Sequence, residues 1–195
     1  MTQRTSCTVF RIVSVVLLVA VLAGCAGLPV RTRPYTAGSV LVLPPRDVVQ
    51  GGRPHPKGIG SGRALMEFLV TRFAGTPFEA VTTRSKAFNH IETAAKEKAL
   101  AEAKRLKADY CLQLALGEFR NAAPFSFRTD YVYLSQGVMY DVADGQEVWR
   151  ITSPLYREKE NVGNHFPLLE AIARIVVRSV VNEAAKAGKR EDRGN

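Results

Sequence analysis

Asn89 to Phe119 reads NHIETAAKEKALAEAKRLKADYCLQLALGEF, and its apolar periodicity changes partway along. In the first part Ile91, Ala95, Ala99, Ala103 and Leu106 recur at helical spacing, with Glu92 and Lys96 as an i,i+4 pair on the opposite side. Asn89 followed three residues later by Glu92 has the form of a capping box, so a helix is predicted to begin there. From Asp109 to Phe119 the pattern becomes the apolar run of a buried strand. The alanine stripe is thin enough for close approach, so this stretch predicts a helix lying against a sheet.

Working outward, Ser39 to Leu43 (SVLVL) is strand-like and ends at Pro44-Pro45, which cannot continue a hydrogen-bonded ladder. Arg46 to Gly60 reads as a long loop with Gly51-Gly52, Pro54 and Pro56. A helix follows from Ser61 to about Ala74, carrying Leu65, Phe68, Leu69, Arg72 and Phe73 on one face and stopped by Gly75 and Pro77. Phe78 to Thr82 (FEAVT) alternates as a strand. Downstream, Tyr131 to Val142 and Gln146 to Leu155 read as strands joined by Ala143-Asp144-Gly145, whose Asp-Gly pair signals a hairpin. A last helix is predicted from Pro167 to about Ala187, with Leu168, Ile172, Ile175, Val176, Ser179 and Val180 inside and Arg174 and Arg178 outside.

The order β-α-β-α-β-β-β-α predicts a single layered α/β domain, a mixed sheet with helices packed against it. Its expected span is 39–187, followed by a charged, disordered tail at 188–195. Composition agrees, since 46% hydrophobic and 23% charged residues suit a folded chain rather than a disordered one. No internal repeat is present.

The beginning of the chain has a different character. Arg4 and Arg11 precede an apolar run, Ile12 to Ala23, broken only by Ser14. This is the charged-then-apolar order of an export signal, and it falls short of the ~20 residues of a membrane-crossing helix. The run closes on Leu22-Ala23-Gly24-Cys25. These four residues resemble the lipobox of bacterial lipoproteins. The resemblance implies a signal peptide over 1–24, cleavage between Gly24 and Cys25, and lipid attachment at Cys25. Two or three acyl chains, each buried methylene contributing roughly 0.8 kcal/mol, would hold the product on a membrane. Residues 25–38, with Pro29, Pro34 and no periodicity, read as the lipidated tether. Ala26 stands where an aspartate would imply inner-membrane retention, so the resemblance implies an outer-membrane anchor facing the periplasm.

Formal charge is +9, and removal of Arg4 and Arg11 leaves a strongly basic protein. An exported protein meets little nucleic acid, so anionic lipid head groups, lipopolysaccharide or acidic glycan are the expected anionic partners. A basic surface that only aids solubility is the plainer account. Of three cysteines, the lipobox resemblance implies that Cys7 leaves with the signal and Cys25 carries lipid, so Cys111 is expected to have no intramolecular partner and reads as a buried, inert thiol.

Candidate chemistry is sparse. Gly58-Ile59-Gly60-Ser61-Gly62 precedes a helix, where free amides could hold a phosphate, although the lysine of a P-loop is missing and Ser61 as a helix cap is the simpler reading. His55, His90 and His165 are scattered, and no metal site or cofactor is expected. Ser61, Ser85, Ser126, Ser135 and Ser153 lack a G-x-S-x-G elbow, and no catalytic residue is assigned. Trp149, Tyr131, Tyr133 and Tyr140 lie on the predicted hairpin and could bind sugars or another subunit, with core pairing as the alternative.

Three segments carry a wider resemblance: VLVLPP with the later Gly60-Ser61-Gly62 helix start, the helix leading into LKADYCLQLALGEF, and MYDVADGQEVW followed by HFPLLEAIARIVV. Over about Ser39 to Val181 the chain resembles a family of small bacterial lipoproteins known as domains of unknown function. The element order is also similar to the curli secretion-channel lipoprotein, the Pel polysaccharide export lipoprotein and the TolB amino-terminal domain. These likenesses imply a non-enzymatic, membrane-anchored interaction or assembly module of the cell envelope, with envelope proteins or anionic glycan as partners and oligomerisation possible. The alternatives are a ring-forming accessory for export of an anionic polymer or secreted protein, and an envelope hydrolase whose site assembles only on folding.

Overall fold

The computed structural model describes residues 34–50, 53–54, 58–85, 88, 94–117, 134–151 and 166–191. The chain divides into two units, Met1–Arg31 and Thr32–Asn195, and every described residue belongs to the second. Its elements are β1 (Gly38–Val42), β2 (Val49–Gln50), β3 (Arg53–Pro54), α1 (Ser61–Phe73), β4 (Phe78–Thr82), α2 (Lys96–Arg105), β5 (Tyr110–Leu116), β6 (Leu134–Asp141), β7 (Glu147–Ile151) and α3 (Phe166–Glu191).

The five main strands form a mixed sheet in the order β4-β1-β5-β6-β7. β1 is an interior strand, parallel to both β4 and β5, while β5, β6 and β7 pair antiparallel. β4 lies on one side of β1 and β5 on the other, so two crossovers of one hand place α1 and α2 on opposite faces. The core divides accordingly. Val40, Val42, Leu112 and Leu114 pack with Leu65, Leu69, Ile172 and Val176 of α1 and α3, whereas Leu41, Leu43 and Cys111 pack with Ala99 and Ala103 of α2. A strand stretch covered on both faces must be apolar, which is why β1 is aliphatic and buried from Val40 to Val42.

The expected order of main elements and the α/β class hold, and the differences are local. The Arg46–Gly60 stretch, expected to be loop throughout, contains the short antiparallel ladder of β2 and β3. α2 begins at Lys96, not Asn89: Ala95 is its N-cap, extended at φ −60°, ψ 147°, with no side-chain cap. Ala95 is therefore exposed rather than part of the buried stripe. Ile91, Asn89 and Glu92 lie outside the described residues. The final helix continues to Glu191, four residues beyond Ala187 into the stretch expected as a disordered tail. Within the stretch expected as tether, Tyr35 is already packed: it is 4% exposed and sits among Phe73, Phe78 and Tyr110, while Thr36 and Ala37 beside it are exposed. In the β6–β7 hairpin, Gly145 takes φ +70° and donates to the Asp141 carbonyl at 2.9 Å, as the Asp-Gly signal required. Among the described residues no helix is long and apolar enough to cross a membrane.

Candidate functional site

The glycine-rich approach to α1 is already filled. Asp47 reaches back from the loop and accepts 2.8 Å bonds from the Gly60 and Gly62 amides. The carboxylate thus sits where an external phosphate would, at the positive end of the helix. Contrary to the expectation from sequence, Ser61 does not cap the helix. Gly60 is the N-cap at φ +82°, and the buried Ser61 hydroxyl accepts from the Val48 amide at 2.8 Å. Gly62 is required for a different reason: a Cβ there would stand 1.9 Å from the Pro45 carbonyl oxygen.

Two other carboxylates tie elements together. Glu102, on the inner side of α2, accepts a bidentate pair of 2.8 Å bonds from Arg105 and a bond from the Thr83 hydroxyl just beyond β4. Arg105, with Thr83 second, lowers its pKa to about 2. Asp109 joins the starts of β1 and β5. Its Oδ2 accepts from the Ser39 amide and hydroxyl, both at 2.8 Å, and these bonds hold its pKa down. Cys111 is fully buried, and burial alone raises its thiol to about 12. That is the inert thiol expected from sequence.

The hairpin aromatics separate. Trp149 is 1% exposed, and its indole N–H donates to Ser179 at 3.1 Å, so its ring belongs to the core. Tyr140 is half-buried on the other face, with the Lys96 ammonium 4.8 Å from its ring centroid. Tyr131, Tyr133, the three histidines, Ser126 and Ser153 lie outside the described residues, as do Gly24 and Cys25. Among the described residues no three His, Cys, Asp or Glu side chains gather as a metal set.

One cleft that no sequence pattern indicated opens where β1 and β5 begin and β6 ends. It measures about 570 Å³, and its polar lining comes from Thr36, Lys104, Lys107, Asp109 and Asp141. Lys107 follows the end of α2 in the left-handed conformation, φ 56°. Its amide bonds the Lys104 carbonyl at 3.1 Å, and the Ala108 amide bonds the Ala103 carbonyl at 3.0 Å. This is a Schellman ending with lysine where glycine is usual.

Comparison with solved structures identifies the architecture. A dodecameric PelC from Paraburkholderia phytofirmans aligns at 17% identity and TM-score 0.52, covering 78% of this chain and 92% of that one. Lipoprotein GNA1162 from Neisseria meningitidis aligns at 19% identity and TM-score 0.50, covering 74% and 98%. The fold is shared with both. A Xanthomonas campestris protein carrying the DUF330 model also aligns, at 12% identity and TM-score 0.49 over 82% and 95%. Through PelC and GNA1162, the expected likeness to the Pel export lipoprotein and to a small bacterial lipoprotein holds at the level of the fold. No family model and no curated protein matches the chain.

Proposed function

We propose that this chain is a lipoprotein of the cell envelope, anchored in the outer membrane through acylated Cys25 and facing the periplasm, whose α/β domain is a non-enzymatic interaction or assembly module. The observation that carries this is Leu22-Ala23-Gly24-Cys25 at the end of an apolar run, ten residues before Tyr35. Ten residues span at most about 35 Å, so the domain stays close to the lipid. The fold shared with GNA1162, a lipoprotein, supports the reading. So does the employment of polar groups, since Asp47, Ser61, Glu102 and Asp109 each hold two parts of the fold together.

Fractionation of cells making Cys25→Ser tests the anchor. The variant is expected to leave the membrane fraction while keeping the wild-type unfolding transition, and unchanged membrane association would overturn the proposal. Ala26→Asp is expected to move the protein from the outer to the inner membrane.

A second reading is a ring-forming accessory for export of an anionic polymer or secreted protein. It is favoured by the fold shared with a protein whose structure is a dodecamer, and by the +9 formal charge. The mass of the detergent-solubilised protein decides it. A monomer at all concentrations, without affinity for acidic glycan, would remove this reading.

A further inference from the structure

The cleft at the start of β1 and β5 has a mixed charge. Lys104 and Lys107 line it together with Asp109 and Asp141, with Thr36 and Ala37 along the side where the chain comes in from its amino terminus. Lys104 and Lys107 are exposed, and neither ammonium has an ion-pair partner among the described residues. Lys107 also occupies a backbone conformation, φ 56°, that costs a side-chain-bearing residue energy and a glycine nothing. The backbone there favours another residue, so the choice of lysine points to its side chain.

The carboxylates are partly occupied. Ser39 takes Asp109 Oδ2 with two bonds, and the Ala143 amide donates to Asp141 Oδ1 at 2.8 Å. Their negative charge nevertheless remains in the cleft and opposes a purely anionic ligand, while the free lysines oppose a cation. A ligand carrying one anion and one ammonium satisfies both.

We propose that this cleft binds a phosphoethanolamine lipid headgroup, with phosphate on Lys104 and Lys107 and ammonium on Asp109 and Asp141. The lipid source follows from position and rests on the anchoring of Cys25 proposed above. Thr36 and Ala37 line the cleft, and Tyr35 beside them stands ten residues from Cys25. Within about 35 Å of chain, the cleft can face the surface that holds the acyl chains. Headgroup binding would convert a loose tether into a seated domain, because a second contact on the same surface acts at high effective concentration.

The test is a calorimetric titration of the full chain, purified in a maltoside detergent, with glycerophosphoethanolamine. Saturable binding is expected, weakened about tenfold or more in Lys107→Gly, a change that relieves the backbone and so leaves the fold intact. Asp141→Asn retains an acceptor for the Ala143 amide and is expected to weaken glycerophosphoethanolamine but not glycerophosphate. Absence of saturable binding overturns the proposal, as does equal affinity for glycerophosphate in the wild-type protein. Tighter binding of the zwitterionic dipeptide Ala-Ala would overturn the lipid source. These measurements need no membrane, so their failure leaves the Cys25 anchor standing, and fractionation of Cys25→Ser judges that anchor separately.

Discussion

The Tyr35 hydroxyl donates a 2.7 Å hydrogen bond to the Val180 carbonyl, joining the segment before β1 to the last helix across 145 residues. Its ring lies 6.0 Å from that of Tyr110 and 6.2 Å from that of Phe78, tilted or edge-on to each, and burial pushes the phenol pKa well above its ordinary value. Tyr35→Phe is expected to lose about 1 kcal/mol and Tyr35→Ala about 3–5 kcal/mol in urea unfolding. Equal stability of all three proteins would show that the segment is not part of the folded unit.

Gly62 and Gly60 separate two uses of glycine. A Cβ at Gly62 would collide with the Pro45 carbonyl, whereas one at Gly60 meets nothing within 4 Å and faces only the strain of φ +82°. Gly62→Ala is expected to cost about 2–4 kcal/mol and Gly60→Ala about 1 kcal/mol, measured by chemical denaturation.

Lys107→Gly should stabilise the domain by about 0.5–1 kcal/mol, because relief at φ 56° exceeds the added entropy of the unfolded chain. A higher unfolding midpoint with an unchanged slope is the expected result. Reduced stability would mean that the lysine side chain holds the turn.

Acid should loosen the link between α2 and the end of β4. Glu102 is depressed to about 2 when folded, so its contribution is complete above the ordinary carboxylate range and is lost as pH falls toward 2. Asp109, also lowered, acts in the same direction at the β1–β5 start. Stability measured down through this range should fall, and Glu102→Gln should flatten the lower part of that curve.

Cys111 is fully buried with its thiol raised to about 12, so alkylation at mildly alkaline pH should proceed only through opening of the α2 face. Immediate labelling of the folded protein would contradict the packing against Ala99 and Ala103.

The sheet was legible because β1 and β5 are apolar enough to register as buried strands, and the Asp144-Gly145 turn is a local signal. The start of α2 was not, since a capping pattern at Asn89 and Glu92 states a preference that the extended backbone at Ala95 does not follow. Asp47 was invisible because its partners, Gly60 and Gly62, lie 13 and 15 residues away and meet it only when the loop folds back. Tyr35 is a single aromatic in a segment without periodicity, so no pattern marks it as core. The cleft draws on three separated stretches, around Thr36, Lys107 and Asp141, which only the strand order brings together.

The placement of β1 decides how the domain answers a pull. Tension arriving through the amino-terminal chain acts along an interior strand, paired with β4 over Gly38–Val42 and with β5 over Val40–Val42. Both parallel ladders are loaded in shear, so their hydrogen bonds share the load and must fail together. The same chain leading into an edge hairpin would be peeled one bond at a time. With Tyr35 buried ahead of β1, a pull on the leading end meets the core before it reaches either ladder.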